Sequence, residues 1–330
     1  MGLLFSLGAI VLLFSQVNLG QAWEVLAHMD SRLMLAPLVF SFAGIPLRPW
    51  RWQVIFPPPA RPGFWPCFWA LALGNMANNV LPARGGDVLR CVLITRGHSG
   101  AGISFSLAAL GLEKILDGLA LVGVVSLTFF MFVPPRWLGQ LVLIAGLVFG
   151  GALVALALMR IRSLWSLEII RSTFRMVRLG WLGEKVVGLV RDFSDGLGAL
   201  GSRWQMGALV LLTWLIWATE AMVVWGLAST LSIGLSVPGA LAVTAVLGLG
   251  LGIPAAPGFV GTYEFFSVTG LTLSGIPLDA AMALTMVSHA WSLLTTTGLG
   301  LLSLAFENIS LADVLRGRIR AMAVPLANGR

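Results

Sequence analysis

The sequence predicts an all-α protein, a polytopic membrane helix bundle. Three observations carry that expectation. Hydrophobic residues make up 58% of the 330 positions and charged residues only 11%, less than half the roughly 25% of soluble domains. Six stretches, 1–23, 62–83, 118–135, 137–159, 221–263 and 280–306, contain no Asp, Glu, Lys or Arg, and about 20 apolar residues suffice to cross a bilayer. Finally, two stretches, 71–90 and 247–266, interrupt apolar sequence with Gly, Pro and polar residues. Lipid hydrocarbon cannot hydrogen-bond to polar groups, so such stretches must be buried in protein or line a wet cavity.

Residues 1–23 read as a retained first span. They lack the basic start and small-residue cleavage site of a signal peptide. Segment 33–47 is short for a crossing, but Arg32 and Arg48 flank it and can snorkel. Basic residues then set the topology. Arg48, Arg51 and Arg61 form one group, Arg84, Arg90 and Arg96 a second, eight residues in 160–203 a third, and Arg316, Arg318, Arg320 and Arg330 a fourth. Together these are 18 of the 21 basic residues. The positive-inside rule places all four groups, and both termini, in the cytoplasm. Segment 64–82 lies between two cytoplasmic groups, so it must enter and return as a re-entrant hairpin. Residues 115–133, 137–159, 206–230 and 279–305 each cross once. Segment 237–275 starts and ends outside, as either two short spans or a second hairpin.

The two broken segments thus enter from opposite faces. That predicts inverted-repeat pseudo-symmetry with a site at the repeat interface. Internal matches point the same way: Leu71-Ala-Leu-Gly74 with Leu247-Gly-Leu-Gly250, Pro82 with Pro257, Asp87 with Glu264, and Glu113 with His289. Segment 160–203 carries two apolar stripes, Leu167, Ile170, Phe174 and Val177, then Val186, Val190, Phe193, Leu197 and Leu200. These read as amphipathic helices on the cytoplasmic leaflet or as a helical hairpin packed on the protein. The expected organisation is one membrane domain, 1–306, with 160–203 as a cytoplasmic insertion and 307–330 as a cytoplasmic tail. Cys67 and Cys91 make neither a disulfide framework nor a metal cluster. The net charge of +7 fits loops facing anionic lipid rather than nucleic acid.

The candidate site residues fall at the breaks. Arg84 and Arg90 flank Gly85-Gly86-Asp87. Arginine grips phosphate bidentately, and neighbouring glycines let backbone N–H groups approach. The alternative is that both arginines hold the hairpin at headgroup level. Asp87 is expected to pair with one of them. Asn75, Asn78 and Asn79 can satisfy backbone groups freed at the hairpin tip. Glu113 and Asp117 share one helical face beside Lys114, either as functional carboxylates or as partners of Arg84 or Arg90. Glu264 and His289 can bind a proton and couple transport to it; alternatively His289 is a packing group. They are expected to meet Glu113 on the floor of one cavity. Glu220, amid Trp214, Trp217 and Trp225, is a second-tier candidate. The thirteen tryptophans read mostly as interface anchors.

The ordered motifs G-N-x-x-N-N-x-x-P-x-R-x-G-D-x-x-R (Gly74–Arg90), E-K-x-x-D (Glu113–Asp117) and P-G-x-x-G-x-x-E (Pro257–Glu264) resemble those of the lysylphosphatidylglycerol synthase transmembrane-region family. This is the flippase-like membrane half of the bacterial multiple peptide resistance factor, and the resemblance covers about residues 1–306. It implies a bacterial inner-membrane fold with re-entrant helices that moves a charged lipid between leaflets. Bifunctional members carry a soluble aminoacyl-transferase domain after the membrane region. Only 24 residues follow Phe306, so lipid-modifying activity is not carried over. Members that stand alone are linked to glycosylated, hopanoid or polyprenyl-phosphate lipids.

The expected function is therefore a flippase for an anionic-headgroup lipid, not an enzyme, with no metal or other cofactor. The lipid is a phospholipid, an aminoacylated or glycosylated lipid, or a polyprenyl phosphate. The expected partners are lipids with phosphate-containing headgroups, with room for a homo-oligomer and a partner lipid-synthesis enzyme. The competing reading is a membrane-embedded transferase that uses a lipid carrier. Against it, the sequence has no HExxH, nucleotide loop or nucleophile triad.

Overall fold

The computed structural model describes residues 24, 27–56, 61–81, 84–95, 102–130, 135–161, 187, 202–252, 256–307, 309, 310, 312 and 314. The expected first span, nearly all of the amphipathic insertion and most of the tail lie outside the described residues. Among the described residues the fold is helical, with no strand.

A short 3-10 turn, Ser31–Met34, leads into α1 (Leu35–Gly44) and α2 (Leu47–Ile55). Asp30 caps the turn by accepting from the Arg32 backbone N–H at 2.9 Å. Pro46 sits at the α2 N-cap, where its missing N–H costs nothing. The expectation that the crossing ends at residue 47, with Arg51 in a cytoplasmic group beyond it, is corrected by the structure. The helical run continues to Ile55, and Arg51 is 1% exposed. Its charge is stabilised by partners inside the bundle rather than by water.

Two pairs of short helices follow the same plan. The first is α3 (Phe64–Asn78) and α4 (Gly85–Thr95), the second α8 (Val237–Gly250) and α9 (Thr262–Leu273). At 1.5 Å per residue these helices are about 16–22 Å long. Each falls short of the roughly 30 Å hydrocarbon core. Within each pair the helices pack on one another. In the first pair this depends on Gly74 and Gly86. A Cβ on Gly86 would collide with the Gly74 carbonyl oxygen and the Asn78 backbone nitrogen. In the second pair, Gly258 (φ 67°) and Gly261 (φ 87°) turn the chain into α9, a backbone that glycine adopts without strain.

The long helices are α5 (Ile103–Thr128), α6 (Arg136–Ile161), α7 (Arg203–Thr230) and α10 (Leu278–Glu307). Among the described residues, Ser31–Ile55, Arg136–Leu158 and Arg203–Thr230 are long and apolar enough to cross a membrane. Helix α6 turns Leu143, Ile144, Leu147 and Val148 outward, as a lipid-facing helix does. Helix α5 matches these in length but carries three charged residues, Glu113, Lys114 and Asp117, close together in its sequence.

The packing is reciprocal. Helix α3 lies on α10, and α8 lies on α5. Helix α4 contacts α5, and α9 contacts α10. Helix α7 joins the sets by packing on α1, α2 and α8.

Candidate functional site

One cavity of about 570 Å³ lies between the two helix-pair systems. That is within the usual range of ligand pockets. Its wall includes Asn75, Asn78, Asn79, Arg84, Asp87, Arg90, Glu113, Asp117, Glu220 and His289. Ten of the eleven candidate residues therefore meet in one space. Glu264 is the exception and sits one layer behind His289.

A network of buried ions forms one side. Arg51 on α2 reaches α5: its Nη1 donates to Asp117 Oδ1 at 2.5 Å, its Nη2 donates to Asp117 Oδ2 at 3.2 Å, and Nη2 lies 3.5 Å from Glu113 Oε1. Arg90 on α4 donates through Nη2 to Glu113 Oε1 at 2.9 Å and lies 3.1 Å from Asp87 Oδ1. Lys114 bridges Glu113 at 3.3 Å and Asp87 at 3.6 Å. Three cations thus meet three carboxylates, and the network is neutral.

Two tryptophans complete the network. The indole N–H of Trp52 donates to Glu113 Oε2, and that of Trp217 donates to Asp117 Oδ1 at 3.1 Å. The Arg90 guanidinium also lies 5.1 Å from the centre of the Trp52 ring. Pairing of this kind is what makes a buried charge tolerable.

Arg84 differs. It stands at the first break with φ 57°, a left-handed conformation that costs a non-glycine residue about 1–2 kcal/mol. Among the described residues no carboxylate pairs with it. Its guanidinium sits 5.4 Å from the centre of the Phe259 ring, and Phe259, at the second break, is itself left-handed at φ 59°. The tips of the two broken segments therefore touch. The Nε–H groups of Arg51, Arg84 and Arg90 are buried and lack an acceptor among the described residues. Each such orphan costs about 1–3 kcal/mol.

The opposite wall carries a smaller set. His289 Nδ1 lies 2.6 Å from Glu264 Oε1, and Nε2 lies 2.8 Å from the Gly258 carbonyl oxygen. The Tyr263 ring stacks on the imidazole at 4.1 Å. Arg48 donates to Glu220 at 2.5 Å between helices α2 and α7.

The family model described as lysylphosphatidylglycerol synthase TM region matches residues 1–300. The chain belongs to this family. No curated protein and no solved structure matches it. The sequence motifs of this LPG synthase TM-region protein thus converge in space, and the family assignment gives it a membrane, lipid-related role.

Several expectations change in detail. Asp87 pairs with an arginine as expected, and the partner is Arg90. Arg90 is consequently tied into the network and is not equivalent to Arg84. Asn78 and Asn79 serve other side chains rather than freed backbone: Asn78 donates to Asp87 at 3.3 Å, and Asn79 to Thr296 and Thr297 at 3.0 and 3.1 Å. Asn75 lies on the cavity wall. Glu264 and His289 bond to each other but not to Glu113, whose carboxylate is taken up by Arg90, Arg51, Lys114 and Trp52.

Sequence reasoning missed Arg51, Trp52 and Trp217 as site residues. In sequence Arg51 reads as one of a cytoplasmic group of basic residues, and the tryptophans read mostly as interface anchors. The available signal was Arg51-Trp52 following an apolar run without any turn residue after Pro49.

Proposed function

We propose that this protein moves a lipid with an anionic headgroup between the leaflets of a bacterial inner membrane. In this reading both helix pairs are re-entrant hairpins entering from opposite faces, and both termini are cytoplasmic. The cavity shields the headgroup while the acyl chains stay in lipid. One observation carries the reading. Arg84 is the single arginine or lysine of the cavity wall that forms no ion pair with a described carboxylate, and it stands where the two broken segments touch. A phosphate oxygen would supply the acceptor that its Nε–H lacks.

The reciprocal packing supports the repeat. Exchanging α3, α4 and α5 for α8, α9 and α10 maps the main contacts among these six helices onto themselves, whereas the packing of α7 on α8, of α2 on α3 and of α6 on α5 has no counterpart of similar extent. Broken helices at the interface of paired halves are the usual placing of a transport site. The transferase reading draws on Glu113 and Asp117, but both carboxylates are held by arginine and tryptophan donors.

The test is reconstitution into liposomes with labelled phosphatidylglycerol, a polyprenyl phosphate and a cationic aminoacylated lipid, each scored for leaflet exchange. Faster exchange of an anionic lipid than in protein-free liposomes is expected. Exchange of none of the three, or of the cationic lipid alone, would overturn the proposal.

A further inference from the structure

His289 reaches both sides of the second break. Its Nε2 lies 2.8 Å from the Gly258 carbonyl oxygen. A carbonyl oxygen only accepts, so Nε2 carries a hydrogen. On Glu264, Oε2 is already engaged, accepting the Gly261 backbone N–H at 2.6 Å. The remaining contact is His289 Nδ1 to Glu264 Oε1 at 2.6 Å, and it needs one proton. In an imidazolium–carboxylate pair that proton is on nitrogen. In an imidazole–carboxylic acid pair it is on oxygen. With no proton, two lone pairs face one another at hydrogen-bond distance and the contact cannot persist. The geometry counts the proton wherever it resides.

What the proton holds together is the junction of the two halves. His289 is on α10, Glu264 is on α9, and Gly258 lies in the break between α8 and α9. The next residue, Phe259, covers the Arg84 guanidinium. The other groups facing the imidazole are few. From α9 come Glu264 and the stacked ring of Tyr263. From α7 comes Glu220, engaged by Arg48. Helix α3 brings the uncharged Asn75 and Asn79, and Arg84 lies beyond Phe259.

We propose that Glu264 and His289 form a proton-binding site that gates the lipid path. Holding its proton, the pair keeps Gly258 and Phe259 against Arg84. Losing it, the pair releases that segment and opens Arg84 to the headgroup. The gating role rests on the translocation reading above; proton binding by the pair does not.

Glu264→Gln separates the possibilities. The glutamine carbonyl can accept from the Gly261 N–H while its NH₂ donates to His289 Nδ1. Both bonds survive, but the exchangeable proton does not. The first measurement is 15N-histidine NMR of the protein in nanodiscs. The chain has three histidines, His28, His98 and His289, and His289→Asn assigns the signal. Over about pH 5 to 9, the range in which histidine switches act, the wild-type signal should change. In Glu264→Gln, Nδ1 should remain an acceptor throughout. The second measurement is leaflet exchange of an anionic lipid across the same range without a pH gradient. Wild-type exchange should rise with pH, by up to about tenfold per unit for a single proton. Glu264→Gln exchange should be slow and flat.

Identical His289 titrations in wild type and Glu264→Gln would overturn the proton site. Identical pH profiles of exchange would overturn the gating. Absence of any wild-type exchange alongside the expected NMR result would overturn translocation, and the gating with it, but leave the proton site standing.

Discussion

The helix pair α3–α4 carries Asn75, Asn78, Asn79, Arg84, Asp87 and Arg90 to the cavity, whereas the matching pair α8–α9 presents Thr244 and Tyr263, with Glu264 behind. Both pairs are short, glycine-packed and broken by a left-handed residue. Their chemistry is unlike. The first pair is clamped into a lattice of six ions reaching α2 and α5. The second is tied to α10 by His289 and by the Ser267–Thr285 hydroxyl pair at 2.8 Å, with no arginine or lysine among its side-chain ties. Two helix pairs of similar build therefore carry unlike chemistry.

The largest effect is expected from the centre of the lattice. Glu113 compensates Arg90, Arg51 and Lys114 together. Glu113→Ala leaves three cations facing two carboxylates, Asp87 and Asp117, and removing one partner of a buried ion pair typically costs about 3–5 kcal/mol. The midpoint of thermal unfolding in detergent should fall steeply. His289→Asn should lower it far less. Equal losses would mean that both halves are held with similar strength, and the contrast between them would be lost.

Arg84 distinguishes chemistry from scaffolding. It has no carboxylate partner among the described residues, so Arg84→Ala should leave the melting midpoint close to wild type. It should also relieve left-handed strain only slightly, since alanine too disfavours that backbone. Loss of one charge-assisted contact to phosphate, worth about 1.5–3 kcal/mol, should weaken anionic-lipid exchange by roughly tenfold to a hundredfold. Arg90→Ala should instead destabilise the fold, because it removes the closest cation from both Glu113 and Asp87. Wild-type exchange by a well-folded Arg84→Ala protein would remove the basis for a phosphate site at the break.

Glycine contacts compare the two pairs directly. A Cβ on Gly86 would meet backbone atoms of Gly74 and Asn78, while one on Gly270 would lie 2.9 Å from the Cα of Val243. Overpacking of this kind costs about 1–3 kcal/mol. Gly86→Ala should cost more than Gly270→Ala in the same melting assay, because it also displaces Asp87 and Arg90 from the lattice. The reverse order would place the tighter constraint on the second pair.

Much of this site was legible in sequence because polar residues in apolar runs have few explanations. The glycine, asparagine and arginine pattern of 74–90 marks a broken, buried segment whatever its partners are. Four-residue spacing put Glu113 and Asp117 on one face, and that face does look inward. What escaped was pairing across distance. Arg51 finds Asp117 66 positions away, and Trp52 finds Glu113 61 positions away. The positive-inside rule assigns an arginine by its place in the chain, so it put Arg51 and Arg90 at the membrane surface. It cannot see that a carboxylate elsewhere neutralises them. Part of the charge count behind the predicted topology consequently came from residues that serve the interior.

The smallest effect is expected at the second ion pair of α2. Arg48 lies one turn before Arg51, and its bond to Glu220 is as short as that of Arg51 to Asp117, 2.5 Å in each case. Distance alone would rank them together. Exposure separates them: the side chains of Arg48 and Glu220 are 33% and 46% exposed, against 1% and 14% for Arg51 and Asp117. Both members of the outer pair border the cavity, so water can reach and screen them. An ion pair in that setting contributes about 0–1 kcal/mol. Glu220→Gln should hardly move the melting midpoint, whereas Asp117→Asn, which uncovers the buried Arg51, should lower it clearly. If Glu220→Gln cost as much as Asp117→Asn, the outer pair would have to be desolvated. The cavity would then be closed to water on the α7 side, and the path for a headgroup would have to enter beside α3 and α4.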